Sequence, residues 1–134
     1  MKKEPIEERK LADLKGIKNK NIISLATFGS FNTKYWRNGF SDIDILVLIE
    51  HRNDVMEEFD IEDEITPILE KHFEYNKIHL TFLEMKEFDT VFARQYIDSK
   101  DKLILNELKE MDFRIYVNKY IRNNKHLSRG LKGE

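Results

Sequence analysis

Apolar and polar residues follow one another along this chain in blocks that predict strands and helices in turn. Residues 22 to 28 are rich in Ile, Leu, Phe and Thr and predict a first buried strand, which Gly29 ends. The continuous apolar run within residues 42 to 50 predicts a second strand that is buried on both faces. Residues 77 to 83 predict a third strand, and residues 102 to 105 predict a short fourth one.

Segments with apolar residues near helical spacing lie between these strands. They predict helices over residues 5 to 18, 55 to 73, 86 to 97 and the remainder to about 126, with a short helix or loop over 30 to 37. Asn53-Asp54 is expected to cap the longest helix, within which Pro67 is a point of potential division.

Strands that alternate with helices in this order predict an α/β (α+β) fold with a mixed sheet and helices packed on it. We see no linker, repeat or low-complexity tract, so one compact domain is expected over residues 1 to 127. Residues 128 to 134 are polar, contain two glycines and predict a flexible tail.

The composition narrows the class of protein. Of the 134 residues, 40% are hydrophobic and 36% are charged, as expected for a globular domain. The longest apolar run, Ile45 to Ile49, is far shorter than the roughly 20 residues of a membrane span, and the first residues lack the apolar core of a signal peptide. There is no cysteine, and the net charge of −2 does not favour a polynucleotide partner. We therefore expect a soluble cytoplasmic protein.

Two carboxylates at the start of the second strand predict a cation site. Side chains alternate across a strand, so Asp42 and Asp44 point to the same face, about 7 Å apart by strand rise. Like charges held so close repel one another unless a cation lies between them. Mg²⁺ prefers such oxygen ligands, whereas the lack of cysteine and the four scattered histidines argue against zinc.

Gly29 and Ser30 follow the first strand, where open α/β sheets commonly bind ligands. Glycine allows a phosphate to approach the backbone, and the N–H groups of a following helix would point at it. Lys34 and Arg37 are placed to neutralise phosphate charge. A cation beside a phosphate seat is typical of phosphoryl or nucleotidyl transfer. The structural alternative is that the aspartates cap a turn and that Gly-Ser only ends a strand.

Gly29-Ser30 together with Ser41-Asp42-Ile43-Asp44 resembles the nucleotidyltransferase superfamily of DNA polymerase beta, and particularly its small minimal members. The resemblance implies that Asp42 and Asp44 hold Mg²⁺, or Mn²⁺, and that the phosphates of ATP or another nucleoside triphosphate lie near Gly29, Ser30 and Ser41. It also implies transfer of a nucleoside monophosphate to a protein or small-molecule acceptor. Some minimal members are antitoxins that adenylylate a helical HEPN-type toxin, which is therefore a candidate partner.

Three features depart from the family pattern. Phe31 and its neighbours replace the small residues and the glycine that usually follow Gly-Ser. Tyr35 and Trp36 add an aromatic pair, for which packing is the favoured role. His79 stands where active members place a third carboxylate, with Glu84 as an outside candidate for that role. Two hypotheses result: an active nucleotidyltransferase, or a catalytically weakened nucleotide-binding or antitoxin-type module of the same fold.

Overall fold

Four strands form one mixed sheet at the centre of the molecule. The structure is a computed structural model and describes residues 6–31 and 33–124. The strands are β1 (Ile22–Phe28), β2 (Ile43–Ile49), β3 (Ile78–Glu84) and β4 (Lys102–Ile104), in the spatial order β3-β2-β1-β4. β2 pairs with β1 in antiparallel and with β3 in parallel orientation, and β4 pairs antiparallel with the other side of β1. The predicted mixed sheet of an α+β fold is confirmed.

Three α-helices pack on this sheet: α1 (Val55–Phe73), α2 (Val91–Asp98) and α3 (Glu107–Asn123). The predicted bounds and cap of α1 are confirmed, since Asp54 accepts a hydrogen bond from the Glu57 N–H at 3.0 Å. Pro67 does not divide α1. It lies at an exposed position, where the carbonyl that loses its intrahelical donor is open to water.

The sheet has a hydrophobic core on each face, and β2 contributes to both. Ile45 and Val47 pack with α1 and the N-terminal segment, whereas Leu46 and Leu48 pack with α2 and α3. All the residues of β2 from Ile45 onward are buried, as the continuous apolar run predicts. Within the described ranges, no helix is both long enough and apolar enough to cross a bilayer.

The helix predicted over residues 5 to 18 is wrong. Pro5 lies outside the described residues, and the chain from Ile6 onward forms two short 3₁₀ turns, Ile6–Glu8 and Leu11–Asp13, joined by irregular backbone. A distant side chain holds this segment: the buried Asp101 carboxylate accepts hydrogen bonds from the N–H of Leu11 at 2.6 Å and of Ala12 at 2.9 Å. In a helix, the N–H groups of Leu11 and Ala12 would donate to carbonyls of the preceding turn. Here they donate to Asp101 instead.

The helix predicted over residues 86 to 97 is shorter than expected. A 3₁₀ turn, Met85–Glu87, follows β3, and Glu84 and Glu87 cap it reciprocally. α2 begins only at Val91, after the capping residue Thr90. The helix predicted to about residue 126 is confirmed as α3, which ends at Asn123. Residues 125–134, with the predicted tail and domain end, lie outside the described residues.

Candidate nucleotide and metal site

Three neighbouring strands bring Gly29, Asp44 and His79 side by side. The last residue of β1, Phe28, pairs with Asp44 on β2, and Asp44 pairs with His79 on β3. Asp44 and His79 share a face of the sheet with Leu46 because side chains alternate along each strand. The strand register therefore brings the Gly-Ser turn and His79 to Asp44, whereas Asp42, predicted to open the second strand, lies just before β2.

Asp44 is a partly buried carboxylate whose two oxygens face different neighbours. Its side chain is 28% exposed, and its Oδ1 lies 3.3 Å from Nδ1 of His79. Burial raises the pKa of the Asp44 carboxyl above its ordinary value, His79 opposes that shift, and the charge of Asp42 adds to it. Burial thus disfavours the charged form of this carboxylate, and a cation beside it would offset that cost.

Gly29 provides the space beside the other oxygen. Its φ of +71° is a conformation that residues with a side chain rarely adopt, and a Cβ added there would lie only 2.8 Å from Asp44 Oδ2. The lack of a side chain therefore brings the backbone at the end of β1 against the carboxylate. A phosphate seated on this backbone and a cation bound to Asp44 would be direct neighbours.

Aromatic side chains hold the backbone that carries Asp42, whose own side chain is exposed. Trp36 Nε1 donates a hydrogen bond to the Asp42 carbonyl at 2.9 Å, and the Tyr75 hydroxyl donates to the carbonyl of Ser41. The Trp36 and Tyr75 rings contact each other, and Phe31 contacts Trp36. Packing of Trp36 is thus confirmed. Tyr75, which follows α1, is a support that no sequence motif indicates.

The loop between Gly29 and Asp42 differs from the expectation in two ways. Of the short helix or loop predicted over residues 30 to 37, the described residues form the loop, with the Thr33 N–H donating to the Ser30 carbonyl at 3.0 Å, so the N–H groups expected from a helix start beside Gly29 are not supplied by these residues. The packing role predicted for Tyr35 is wrong, since its side chain is 72% exposed beside Lys34.

The remaining predicted residues lie around this centre. Lys34 and Arg37 are exposed on the loop. The Ser41 hydroxyl accepts a hydrogen bond from the Arg37 N–H at 3.0 Å, which closes the loop just before Asp42. Glu84 is buried at the opposite end of β3 from His79, where it accepts a hydrogen bond from the Arg52 N–H, and it is therefore no substitute for a third carboxylate.

The donor set fits a magnesium ion that also binds a substrate. Among the described side chains, no three His, Asp or Glu are gathered into a ready-made cation site. Mg²⁺ is usually held by one or two carboxylates, with water and substrate phosphates supplying the other ligands. Asp44 beside the open backbone of Gly29, with the exposed Asp42 two residues earlier in the chain, fits that requirement.

A mixed sheet, a Gly-Ser turn after one strand and two aspartates at the start of the adjacent strand, Asp42 just before it and Asp44 within it, define the nucleotidyltransferase class of fold. Residues 14–110 match the family model described as Polymerase beta, Nucleotidyltransferase, over more than half of the chain. The chain belongs to this family. None of the curated proteins with which it was compared matches it.

Proposed function

We propose that this protein is a Mg²⁺-dependent nucleotidyltransferase that moves a nucleoside monophosphate from ATP to a protein or small-molecule acceptor. The observation that supports the proposal is the closeness of Gly29, directly after β1, to the Asp44 carboxylate on β2, as expected if this backbone seats a phosphate and the carboxylate binds a cation. Mn²⁺ fits the same two oxygen ligands.

Each residue of the site has a role in this reaction. Asp42 and Asp44 hold the ion, the Gly29-Ser30 backbone seats the triphosphate, and Lys34 and Arg37 neutralise its charge. When bound, the ion supplies charge neutralisation at the phosphates. The oxygen of an acceptor hydroxyl forms a bond to the α-phosphorus while the bond from that phosphorus to the bridging oxygen of the β-phosphate breaks. Pyrophosphate leaves, and the hydroxyl proton passes to water.

An exposed apolar stripe on α3 favours a protein as the acceptor or partner. Leu108, Met111 and Ile115 repeat at helical spacing and are all exposed, which is uncommon on a small domain without a partner. The partner that the resemblance implies is a helical HEPN-type toxin. The exposed apolar face of α3 is suited to packing against a helix of such a partner.

Binding calorimetry with ATP and Mg²⁺ tests the proposal. We expect the double variant Asp42→Ala/Asp44→Ala to bind Mg·ATP about 100-fold more weakly than the original protein, since it loses both ionic ligands of the cation. Asp60→Ala/Asp63→Ala removes the same charge from exposed positions of α1 and should bind normally. An original protein that does not bind Mg·ATP, or a site variant that binds it equally well, refutes the proposal.

The contact of His79 with Asp44 favours a second candidate, a nucleotide-binding partner module with weakened catalysis. An imidazole lacks the anionic oxygen that a third carboxylate provides to a cation or to an acceptor hydroxyl. On this reading, His79→Asp should raise transfer of label from α-labelled ATP to a co-purified partner by about 100-fold. His51→Asp adds the same charge to an exposed loop and should change nothing. Transfer by the original protein that equals that of His79→Asp rejects the second candidate.

A further inference from the structure

A cleft opens beside Gly29, on the opposite side from Asp44. β1 separates the two, since Asp44 lies on β2 whereas the segment that leads from α2 into β4 runs along the other edge of β1. The cleft measures about 320 Å³ and is lined by Phe28, Gly29, Phe31, Gln95, Ser99 and Lys100 among others. This volume lies at the lower end of the range typical of small-ligand sites.

Gln95 gives the cleft an unused hydrogen-bond acceptor. Its Oε1 is buried, and no residue that the structure describes donates a hydrogen bond to it. Buried amide oxygens are nearly always paired. Because the Gln95 side chain lines the cleft, a rotation of its amide would bring this oxygen to an N–H donor on a ligand. Phe28 and Phe31 also line the cleft and give it apolar surface for a planar ring.

We propose that this cleft binds the nucleoside of the triphosphate and that Gln95 recognises adenine. The inference rests on the proposed function, because Gly29 would then lie at the phosphates, between the cation on one side and the base on the other. A glutamine amide pairs with adenine at two points: its oxygen accepts from the N6 amino group, and its nitrogen donates to N7. Ser99 and Asp98 line the same cleft and offer polar partners for the ribose hydroxyls.

Base analogues test each half of this contact. Inosine triphosphate replaces the N6 amino group with an oxygen, and 7-deaza-ATP lacks N7. With Mg²⁺, we expect the original protein to bind each analogue about tenfold more weakly than ATP in calorimetry. Gln95→Met, of similar length without polar atoms, should bind all three nucleotides equally, whereas Asn118→Met at an exposed position of α3 should keep the preference. An ATP preference that survives Gln95→Met overturns the proposal.

A second variant and a second ligand make the result independent of folding and of the metal site. Gln95→Glu keeps an acceptor for N6 but loses the donor to N7, so it should still discriminate against inosine triphosphate while binding 7-deaza-ATP and ATP alike. AMP in the presence of EDTA should bind in a way that depends on Gln95 and not on Asp42 or Asp44. AMP binding that ignores Gln95 overturns the subsite. If AMP binding requires Gln95 while Mg·ATP binding ignores both aspartates, the subsite is supported and the proposed function fails.

Discussion

Two carboxylates flank β1 from opposite sides, and the protein uses them in opposite ways. Asp101, which directly precedes β4, is 2% exposed. Each of its carboxylate oxygens accepts a hydrogen bond from a main-chain N–H of the N-terminal segment. Asp44, on the β2 side, keeps one oxygen near His79 and the other against the bare backbone of Gly29. Both oxygens of Asp101 bind N–H donors of the main chain, whereas one oxygen of Asp44 lies against backbone that carries no side chain.

The buried acid of α3 follows the pattern of Asp101. Glu110 accepts a hydrogen bond from the Tyr96 hydroxyl at 2.7 Å and pairs with Arg114 at 2.8 Å, and the Tyr96 hydroxyl also contacts Ser24. Where a carboxylate serves the fold, its oxygens are thus fully paired, because an unpaired buried charge is costly. Asp44 departs from this pattern, as expected if its role is in the cation and phosphate binding that we propose rather than in stability.

The largest effect we expect separates the two carboxylates by their contribution to stability. Asp101→Asn leaves an acceptor for only one of the two N–H groups of Leu11 and Ala12, and it should lower the free energy of unfolding by about 2 kcal/mol. Asp44→Asn removes a charge that burial disfavours, so the free energy of unfolding should stay the same or rise slightly. Urea denaturation of the two variants and the original protein measures this. Equal losses for both variants would contradict the contrast.

A smaller effect is expected at the glycine that faces Asp44. Gly29→Ala and Gly39→Ala both place a side chain at a positive φ, which should cost each variant about 1–2 kcal/mol of stability. Only at Gly29 does the new Cβ meet Asp44, so the carboxylate must rotate away. Gly29→Ala should therefore weaken Mg·ATP binding about tenfold beyond any effect of Gly39→Ala, whose Cβ meets nothing within 4 Å. Equal binding by the two variants, measured by calorimetry, would show that Asp44 does not need its position against Gly29.

The sequence predicted the elements whose cause is local. The apolar run of β2 and the Asp54 cap of α1 contain their own signals, so α1 has its predicted bounds and β2 is one residue shorter at each end than predicted. The N-terminal segment failed because its conformation depends on Asp101, about 90 residues away in the chain, which competes with a helix for the amides of Leu11 and Ala12. Long-range hydrogen bonds of this kind produce no periodic pattern of residues in the sequence.

The candidate site likewise contains residues that a local motif predicts and residues that depend on tertiary contacts. Gly29, Asp42, Asp44 and His79 were identified because their spacing and residue types form a motif, and the strand register brings Gly29, Asp44 and His79 together. Gln95 was missed because a glutamine within an amphipathic helix carries no signal until the helix is placed beside the end of β1. The supports of the loop, such as Tyr75, likewise depend on tertiary contacts.

The smallest effect that we expect is a dependence of the free energy of unfolding on pH that comes from Asp44 and not from Asp101. Because burial raises the pKa of the Asp44 carboxyl above 3.8, the folded state binds more protons than the unfolded state between 3.8 and the raised pKa. Stability contributed by the protonated carboxyl is therefore present at low pH and is lost as pH rises through that window. Asp44→Asn should lack this decline and keep the rest of the profile. Urea titrations of both proteins from pH 3 to 7, in steps of about half a unit, measure the difference.

The opposite trend, in which the original protein gains stability relative to Asp44→Asn as the pH rises, would contradict this prediction. It would mean that the interaction with His79 outweighs the effect of burial on the Asp44 carboxyl.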